Sequence, residues 1–228
     1  IERGLHKKIK WYCNTRATLD YDTMALMRKA GCVLMIVGYE SGSQKALDGM
    51  LKGTTVEEMM EFSRNANRAK LLIHGCFMAG NRGDSRETLE ETLQTAKKFN
   101  NDTMQFFPLI VYPGTPAYEW AKDEGLLRTE DFREWLTEEG NHNAVLDMPD
   151  MDRAEILDWC DRARKEYYIR PRYLATKLWQ QIRHPSEITR TFKAFWTFRK
   201  TLFKGSLTKK EKVTTPASPP KRKGVLDV

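Results

Sequence analysis

The sequence predicts an α/β protein with a parallel sheet. Segments typical of strands and of helices alternate four times between residues 9 and 126, which indicates successive strand–helix units. The run at 32–37 is almost wholly apolar and rich in β-branched residues, as expected of a strand that is buried on both faces. Helix start and stop signals separate the runs. Together these observations favour parallel strands covered by helices.

The first two units have recognisable boundaries. A short apolar and aromatic run at 9–13 is followed by a helical stretch that Asp20 can cap. Gly31 can end that helix, because glycine readily adopts the left-handed conformation found after a helix. The apolar strand at 32–37 follows directly. A second helix is predicted over 54–69, with Thr54 or Thr55 as its cap.

The next two units repeat the pattern. An apolar run at 71–78 predicts the third strand, and a glycine turn follows it. Asp84-Ser85-Arg86-Glu87 then resembles a capping box, in which Glu87 would reach back to the cap residue of a third helix. A fourth strand is predicted over 103–111, before a short helix that ends near Gly125.

The pattern changes after residue 127, so three regions are predicted. Residues 1–127 hold the strand–helix units. Residues 128–204 are rich in aromatic and basic side chains at helical spacing and predict a helical C-terminal region. Residues 205–228 lack the apolar content needed to fold and predict a disordered basic tail.

Charge is distributed unevenly along the chain. The 228 residues have a net charge of +7. Residues 161–228 alone have a net charge of +13, from 18 Lys/Arg against 5 Asp/Glu, whereas residues 1–160 have a net charge of −6. A basic C-terminal part indicates an anionic partner, and on charge alone that partner is either membrane lipid or nucleic acid.

Several classes of protein are disfavoured by composition. No run of 18 apolar residues occurs, so no transmembrane helix is expected. None of the four cysteines lies within four residues of another, and no two histidines have metal-ligand spacing on one helix face, so no metal site is predicted within the chain. With no signal peptide at Ile1, reduced thiols in a cytoplasmic protein are expected.

Polar residues at the predicted strand ends are the candidates for ligand binding, because ligands of parallel α/β proteins bind at the carboxyl ends of the strands. Glu40, beside Ser41, could accept two hydrogen bonds from the vicinal diol of a ribose. The alternative is an ion pair between Glu40 and a lysine or arginine of the barrel. Arg16 could bind a carboxylate of a ligand or pair with Glu40 itself.

These segments resemble the radical S-adenosylmethionine superfamily. The resemblance covers about residues 5–127, with its motifs in the family's order. They are Asn14-Thr15-Arg16, Gly38-Tyr39-Glu40-Ser41-Gly42-Ser43, Lys52-Gly53-Thr54-Thr55, Gly75-Cys76-Phe77-Met78-Ala79-Gly80-Asn81-Arg82-Gly83-Asp84-Ser85 and Tyr112-Pro113-Gly114-Thr115-Pro116. The later Tyr167-Tyr168-Ile169-Arg170-Pro171-Arg172-Tyr173 is similar to members that have an N-terminal cobalamin-binding domain.

The resemblance implies strands three to six of a partial, TIM-like parallel βα barrel. S-adenosylmethionine would lie across the strand ends. The implied binding residues are Glu40 and Ser41 at the ribose, Asn14 and Arg16 toward the methionine portion or the substrate, and Phe77 and Met78 along the adenine. The cofactor would supply a 5′-deoxyadenosyl radical, or a methyl group by way of cobalamin, to modify a lipid-, tetrapyrrole- or sugar-like metabolite. An external electron donor is also implied, and no catalytic residue is assigned.

The chain departs from the family at two places. The CxxxCxxC loop that ligates the 4Fe-4S cluster is absent, and the cysteines present lie on separate predicted elements. The cluster ligands, and the domain for any cobalamin, are therefore expected outside this chain. We interpret the chain as a fragment that is inactive alone. The turn at 80–85 also reads Gly-Asn-Arg-Gly-Asp-Ser, where the family usually has Gly-Leu-Pro-Gly-Glu-Thr.

Two further alternatives concern partners. A helix predicted from Ser186 to about residue 203 interleaves aromatic and basic residues, which suits peripheral membrane contact through 186–223 or packing against the barrel. Nucleic-acid binding is not expected, because no nucleic-acid-binding signature accompanies the charge.

The leading functional hypothesis is that the chain is part of a radical S-adenosylmethionine enzyme. The alternative is a non-catalytic binding or scaffold protein that retains half of the barrel.

Overall fold

Four parallel strands form the centre of the computed structural model, which describes residues 1–136, 140, 142–183, 189, 193 and 196. The strands are β1 (Trp11–Thr15), β2 (Cys32–Glu40), β3 (Leu72–Ala79) and β4 (Thr103–Pro108). Their order in the sheet follows their order in the chain. The predicted α/β class, with a parallel sheet followed by helices, is confirmed. The fourth strand is shorter than predicted and ends at Pro108 instead of residue 111.

Helices connect the strands and continue beyond them. They are α1 (Tyr21–Lys29), α2 (Gln44–Gly49), α3 (Val56–Arg68), α4 (Arg86–Phe99), α5 (Pro116–Asp123), α6 (Arg153–Ile169) and α7 (Pro171–Arg183). The predicted caps of α1 and α3 are confirmed. Asp20 accepts a hydrogen bond from the Thr23 amide at 2.8 Å, and Thr55 forms a capping box with Glu58.

The predicted cap of α4 is wrong by one residue. Ser85, not Asp84, caps the helix, and Thr88 takes the place that was assigned to Glu87 in the capping box. The reason lies in the preceding turn. Asp84 Oδ2 accepts hydrogen bonds from the Gly80 amide at 3.0 Å and from the Asn81 amide at 2.8 Å. The Asp84 carboxylate therefore closes the turn after β3, and Asp84 Oδ1 accepts a longer bond of 3.4 Å from the Thr88 hydroxyl instead of capping the helix amides.

The two faces of the sheet differ in what covers them. The face toward the helices contains a fully buried stack of Tyr39, Phe77 and Phe106, with ring centroids 5.5 and 5.7 Å apart. The Tyr39 hydroxyl reaches Ser63 on α3 at 2.7 Å, and Phe106 meets Trp159 on α6 edge to face. The opposite face, which we call the open face, carries intermediate and exposed side chains.

The outer edge of β4 is covered by side chains of α6. The Tyr168 hydroxyl accepts a hydrogen bond from the Met104 amide at 2.8 Å and donates one to the Met104 carbonyl at 2.7 Å. Arg164 donates to the Phe106 carbonyl at 3.0 Å. In the part of the chain that the structure describes, β1 pairs only with β2, and no strand pairs with its outer edge. The sheet therefore has one closed edge and one open edge.

The C-terminal region agrees with the helical prediction only after residue 152. Residues 128–136 and 142–152 contain one short 3-10 turn, Phe132–Glu134, and isolated bridges such as Leu127 with Leu146. Helices α6 and α7 follow. The helix predicted over 186–203 and the tail at 205–228 lie outside the described residues, apart from Thr189, Lys193 and Trp196. None of the helices described in residues 1–183 is long and apolar enough to cross a membrane.

Candidate ligand site at the strand ends

The carboxyl ends of β1, β2 and β3 meet at one edge of the open face. Residues that pair across neighbouring strands point their side chains to the same side of the sheet. The strand register therefore shows which residues lie together on the open face. Asn14 aligns with Ile36, and Gly38 aligns with Cys76. Met78 aligns with Phe107 on β4. A small ligand at these strand ends would lie against this face.

Glu40 lies at the last position of β2 with its carboxylate turned over the open face. The residue has a φ of 68°, and the ladder shifts between Gly38 and Glu40, as at a β-bulge that re-aims a side chain. A Cβ on Gly38 would collide with Glu40 Oε1. The glycine at position 38 therefore leaves the space that the carboxylate occupies.

The ion pair that was the alternative role for Glu40 is present. Lys52 Nζ lies 2.8 Å from Glu40 Oε1, and the two side chains are 17% and 18% exposed. Glu40 Oε2 makes no hydrogen bond with any residue that the structure describes. A half-buried carboxylate with one oxygen paired and the other available still suits a hydroxyl donor.

Arg16 contacts the Lys52 backbone but not Glu40, and Asn14 lies on the neighbouring strand β1, opposite Ile36. Arg16 donates from Nη2 to the backbone carbonyl of Lys52, so its predicted alternative as the partner of Glu40 is wrong. Lys52 takes that place because the loop after α2 returns over the end of β2. Asn14 is exposed on the open face of β1. Lys52 is part of the Lys52-Gly53-Thr54-Thr55 motif, and its role as the partner of Glu40 is not evident from the sequence because the two residues lie 12 positions apart.

Ser41 points away from the open face. Its hydroxyl is fully buried and lies 2.9 Å from Thr92 Oγ1 on α4. The next residue is fixed in the same way, since the Gly42 amide donates to Thr92 at 2.9 Å and the Gly42 carbonyl accepts from Thr95 at 3.0 Å. A side chain at Gly42 would collide with the Thr92 backbone. These bonds hold the chain after Glu40 against α4.

The structure separates Phe77 from Met78. Phe77 is fully buried in the aromatic stack on the helix side, whereas Met78 lies on the open face with intermediate exposure. Only the Met78 side chain is therefore available at the strand ends, and Phe77 can contribute its backbone there. This separation could have been predicted from the sequence, because successive side chains of a strand point to opposite faces of the sheet.

The turn after β3 is held by a second carboxylate that sequence reasoning assigned to the helix. Burial raises the pKa of Asp84 to about 6, although hydrogen bonds from Asn81, Gly80 and Thr88 act in the opposite direction. The Asn81 side chain also donates to the Met78 carbonyl at 3.0 Å. The Gly80–Gly83 turn is thus tied to the end of β3, beside the open face.

The described residues do not fit an iron–sulfur cluster. No group of three metal-binding side chains occurs among them. Cys32 and Cys160 are buried in the core, and burial raises the pKa of Cys160 to about 12. On the open face, burial raises the pKa of Cys76 to about 11, with a smaller contribution from the charge of Glu40. Thiols held in the protonated form, on separate elements, are poor cluster ligands.

The chain is similar in sequence to parts of two larger proteins that are named as enzymes. No family model matches the chain. It is 28% identical over 75% of its length to an uncharacterised methyltransferase of Pyrococcus horikoshii, and 29% identical over 75% of its length to the anaerobic magnesium-protoporphyrin IX monomethyl ester cyclase of Cereibacter sphaeroides. The chain spans 37% and 27% of these two relatives.

A solved structure shares the fold. TsrM from Kitasatospora setae, a radical S-adenosylmethionine methyltransferase whose structure contains cobalamin and a 4Fe-4S cluster, matches with a TM-score of 0.54 at 17% identity. The match covers 69% of this chain and 36% of TsrM. The described sheet and helices thus share their fold with about a third of a larger protein.

Proposed function

Because this chain is related to the radical S-adenosylmethionine superfamily through members of the cobalamin type, we propose that it supplies one side of an S-adenosylmethionine site in a radical enzyme. The observation that carries the proposal is Glu40, a half-buried carboxylate at a strand end with Oε2 unbonded to the described residues. Bound S-adenosylmethionine supplies a 5′-deoxyadenosyl radical on reduction, or a methyl group by way of cobalamin.

Each predicted binding residue then has a specific task. Glu40 accepts hydrogen bonds from the ribose diol, and Lys52 holds the carboxylate in place. Ser41 acts indirectly, because its bond to Thr92 fixes the backbone that aims Glu40. Asn14 and Arg16 face the methionine portion or the substrate. Met78 contributes its side chain, and Phe77 its backbone, to the adenine side.

The remaining parts of the site lie outside the described residues. The cluster ligands belong to another part of the protein, since no suitable thiol group occurs among the described residues. Any cobalamin would also be held elsewhere, and an external donor would provide the electron. A tetrapyrrole is the favoured substrate class, because one relative is named for its action on magnesium-protoporphyrin IX monomethyl ester. Lipid- and sugar-like metabolites are the alternative substrate classes.

The second candidate is a non-catalytic scaffold that retains half of the barrel. The buried contacts of Ser41, Gly42 and Thr92 would stabilise the fold in either case. The two candidates differ at Glu40, because only the enzyme requires its carboxylate to bind the ribose of S-adenosylmethionine. S-adenosylmethionine binding by the complete protein therefore distinguishes them.

The test is Glu40→Gln in the complete protein, loaded anaerobically with its cluster. Glutamine keeps the size of the side chain but removes the charge-assisted hydrogen bonds to the diol, which we expect to weaken S-adenosylmethionine binding by about 10- to 100-fold. Equilibrium dialysis measures the affinity, and visible absorbance reports the cluster, which should be unchanged.

The matched control is Glu57→Gln, on the exposed surface of α3, which should bind with wild-type affinity. Equal affinities of the Glu40 variant and the wild type would remove the ribose role. A complete wild-type protein that binds no S-adenosylmethionine would instead favour the scaffold.

A further inference from the structure

The open face carries a cluster of polar side chains to which the proposed S-adenosylmethionine site gives no role. The cluster consists of His74 on β3 and of Thr103 and Gln105 on β4. His74 aligns with Thr103 in the parallel register, and Cys76, two residues after His74, aligns with Gln105. Their side chains therefore lie on the same face as the candidate ligand site.

Both ring nitrogens of His74 have partners on β4. Nδ1 lies 2.8 Å from the Thr103 hydroxyl, and Nε2 lies 3.3 Å from Gln105 Oε1. A carboxamide oxygen can only accept a hydrogen bond, so Nε2 must carry a proton and act as the donor. The Thr103 hydroxyl can either donate to Nδ1 or accept from it. The bond to Gln105 is therefore the same whether the imidazole is neutral or charged.

This bond fixes the direction of the Gln105 amide. Because Oε1 is held by His74, the amino group on the other arm of the planar amide is left for a different partner. Its two N–H donors make no hydrogen bond with any residue in the described part of the chain, and Gln105 is exposed. His74 thus turns an exposed glutamine into a hydrogen-bond donor of fixed orientation.

Gln105 lies within reach of a molecule bound at the strand ends. It aligns with Cys76 and, through Cys76, with Gly38, which precedes Glu40 by two positions. Strands are about 4.8 Å apart, and two residues along a strand add roughly 7 Å. Gln105 and Glu40 are therefore separated by roughly 12 Å over the open face. A large flat substrate lying beside the cofactor would cover this distance.

The open face around Gln105 is largely apolar. Ile36, Met78 and Phe107 lie on it with intermediate exposure. Among the open-face side chains of β1 to β4, Glu40 is the one Asp, Glu, Lys or Arg residue. A fixed donor on an apolar surface suits an apolar ring system that carries acceptor oxygens on its rim.

We propose that Gln105, oriented by His74, is a specificity-determining residue that donates a hydrogen bond to an oxygen on the rim of a tetrapyrrole. This inference rests on the proposed function, because it places that substrate beside S-adenosylmethionine. The flat ring lies against the apolar part of the open face. The oxygen belongs to a carboxylate or to its ester, since both accept hydrogen bonds. His74 is a positioning residue, because it contacts Gln105 and not the substrate.

The test is Gln105→Glu in the complete protein. Glutamate keeps an acceptor for His74 but replaces the N–H donors with a second acceptor oxygen, so a purely structural role would be preserved. Fluorescence titration measures the affinities for protoporphyrin IX and for its dimethyl ester. We expect the variant to bind the free acid about 10-fold or more weakly than the wild type. A similar loss with the dimethyl ester assigns the bond to an ester carbonyl, and a loss confined to the free acid assigns it to a carboxylate.

Asn65→Asp is the matched control. It makes the same change of amide to acid on α3, where Oδ1 accepts from Arg68 at 3.3 Å, and it should bind porphyrin like the wild type. His74→Phe removes the bond that holds the amide and should weaken binding by about 3-fold. Porphyrin affinity that is unchanged in Gln105→Glu would overturn the proposal.

S-adenosylmethionine affinity, measured on the same samples, separates this inference from the proposed function. Gln105→Glu should bind S-adenosylmethionine like the wild type, because Glu40 is intact. A wild type that binds S-adenosylmethionine but neither porphyrin would overturn this inference alone. A wild type that binds none of the three would overturn both.

Discussion

Asp84 is a buried carboxylate on which two opposing influences act. Burial disfavours its charge, and the amides of Gly80 and Asn81 favour it. Burial is the larger influence, so the pKa lies near 6, above the ordinary value of 3.8. Asp84 therefore binds its proton more tightly in the folded chain than in the unfolded chain. The stability that Asp84 contributes is fully present below pH 3.8 and is lost as the pH rises through 6.

We predict that Asp84→Asn flattens this pH dependence. The amide oxygen can still accept from the two turn amides, but the side chain no longer ionises. Relative to the variant, the wild type should lose on the order of 3 kcal/mol of unfolding free energy between pH 4 and pH 7.5. Denaturant unfolding at several pH values measures the difference. Asp123→Asn, at an exposed position, is the control, and parallel curves for wild type and Asp84→Asn would contradict the assignment.

At the scale of elements, the Tyr168 hydroxyl makes the backbone hydrogen bonds that a neighbouring strand would otherwise make with β4. It satisfies both the amide and the carbonyl of Met104 on the outer edge of β4. A buried backbone group without a partner costs about 1–3 kcal/mol. Helix α6 is therefore held to the sheet by polar bonds as well as by the packing of Trp159 on Phe106.

We predict that Tyr168→Phe lowers the unfolding free energy of the chain by about 1–3 kcal/mol, because phenylalanine fills the same space but leaves Met104 unpaired. Tyr12→Phe is the matched control, since Tyr12 is 67% exposed on β1 and its hydroxyl should contribute little. Urea unfolding measures both variants. Losses of equal size in the two variants would show that the Tyr168 hydroxyl has no special role.

Features of these elements can be predicted from the sequence when the residues in contact lie close together along the chain. The caps Asp20 and Thr55 were predictable because their partners lie three residues away. The bond between Ser41 and Thr92 was not, because it joins residues 51 positions apart. The strand β2 was predicted to stop at residue 37. It continues because Tyr39 packs in the core against Phe77 and Phe99, which local patterns do not reveal.

At the scale of the whole molecule, the described chain is a sheet that is open on one face and along the edge of β1. Unpaired strand edges attract other strands. The parallel βα architecture was predictable from the alternation of apolar runs and helices. The difference between the two edges was not, because it depends on side chains of α6 more than 50 residues after β4 along the chain.

We predict that the chain alone self-associates as its concentration increases, through β1, and that Tyr12→Lys reduces this association. A charge on an exposed edge strand opposes pairing with another strand. Sedimentation velocity over a range of concentrations measures the effect. Leu26→Lys, on the exposed side of α1, should associate like the wild type. A monomeric wild type at all concentrations would refute the prediction.

The hydrogen bonds of Tyr168 and Arg164 to β4 also have a consequence for how the protein could be divided. With the outer edge of β4 occupied, the edge of this sheet that remains for pairing with a further strand, among the described residues, is that of β1. If the protein were expressed as two pieces divided before β1, we would expect fragment complementation to depend on pairing at that edge.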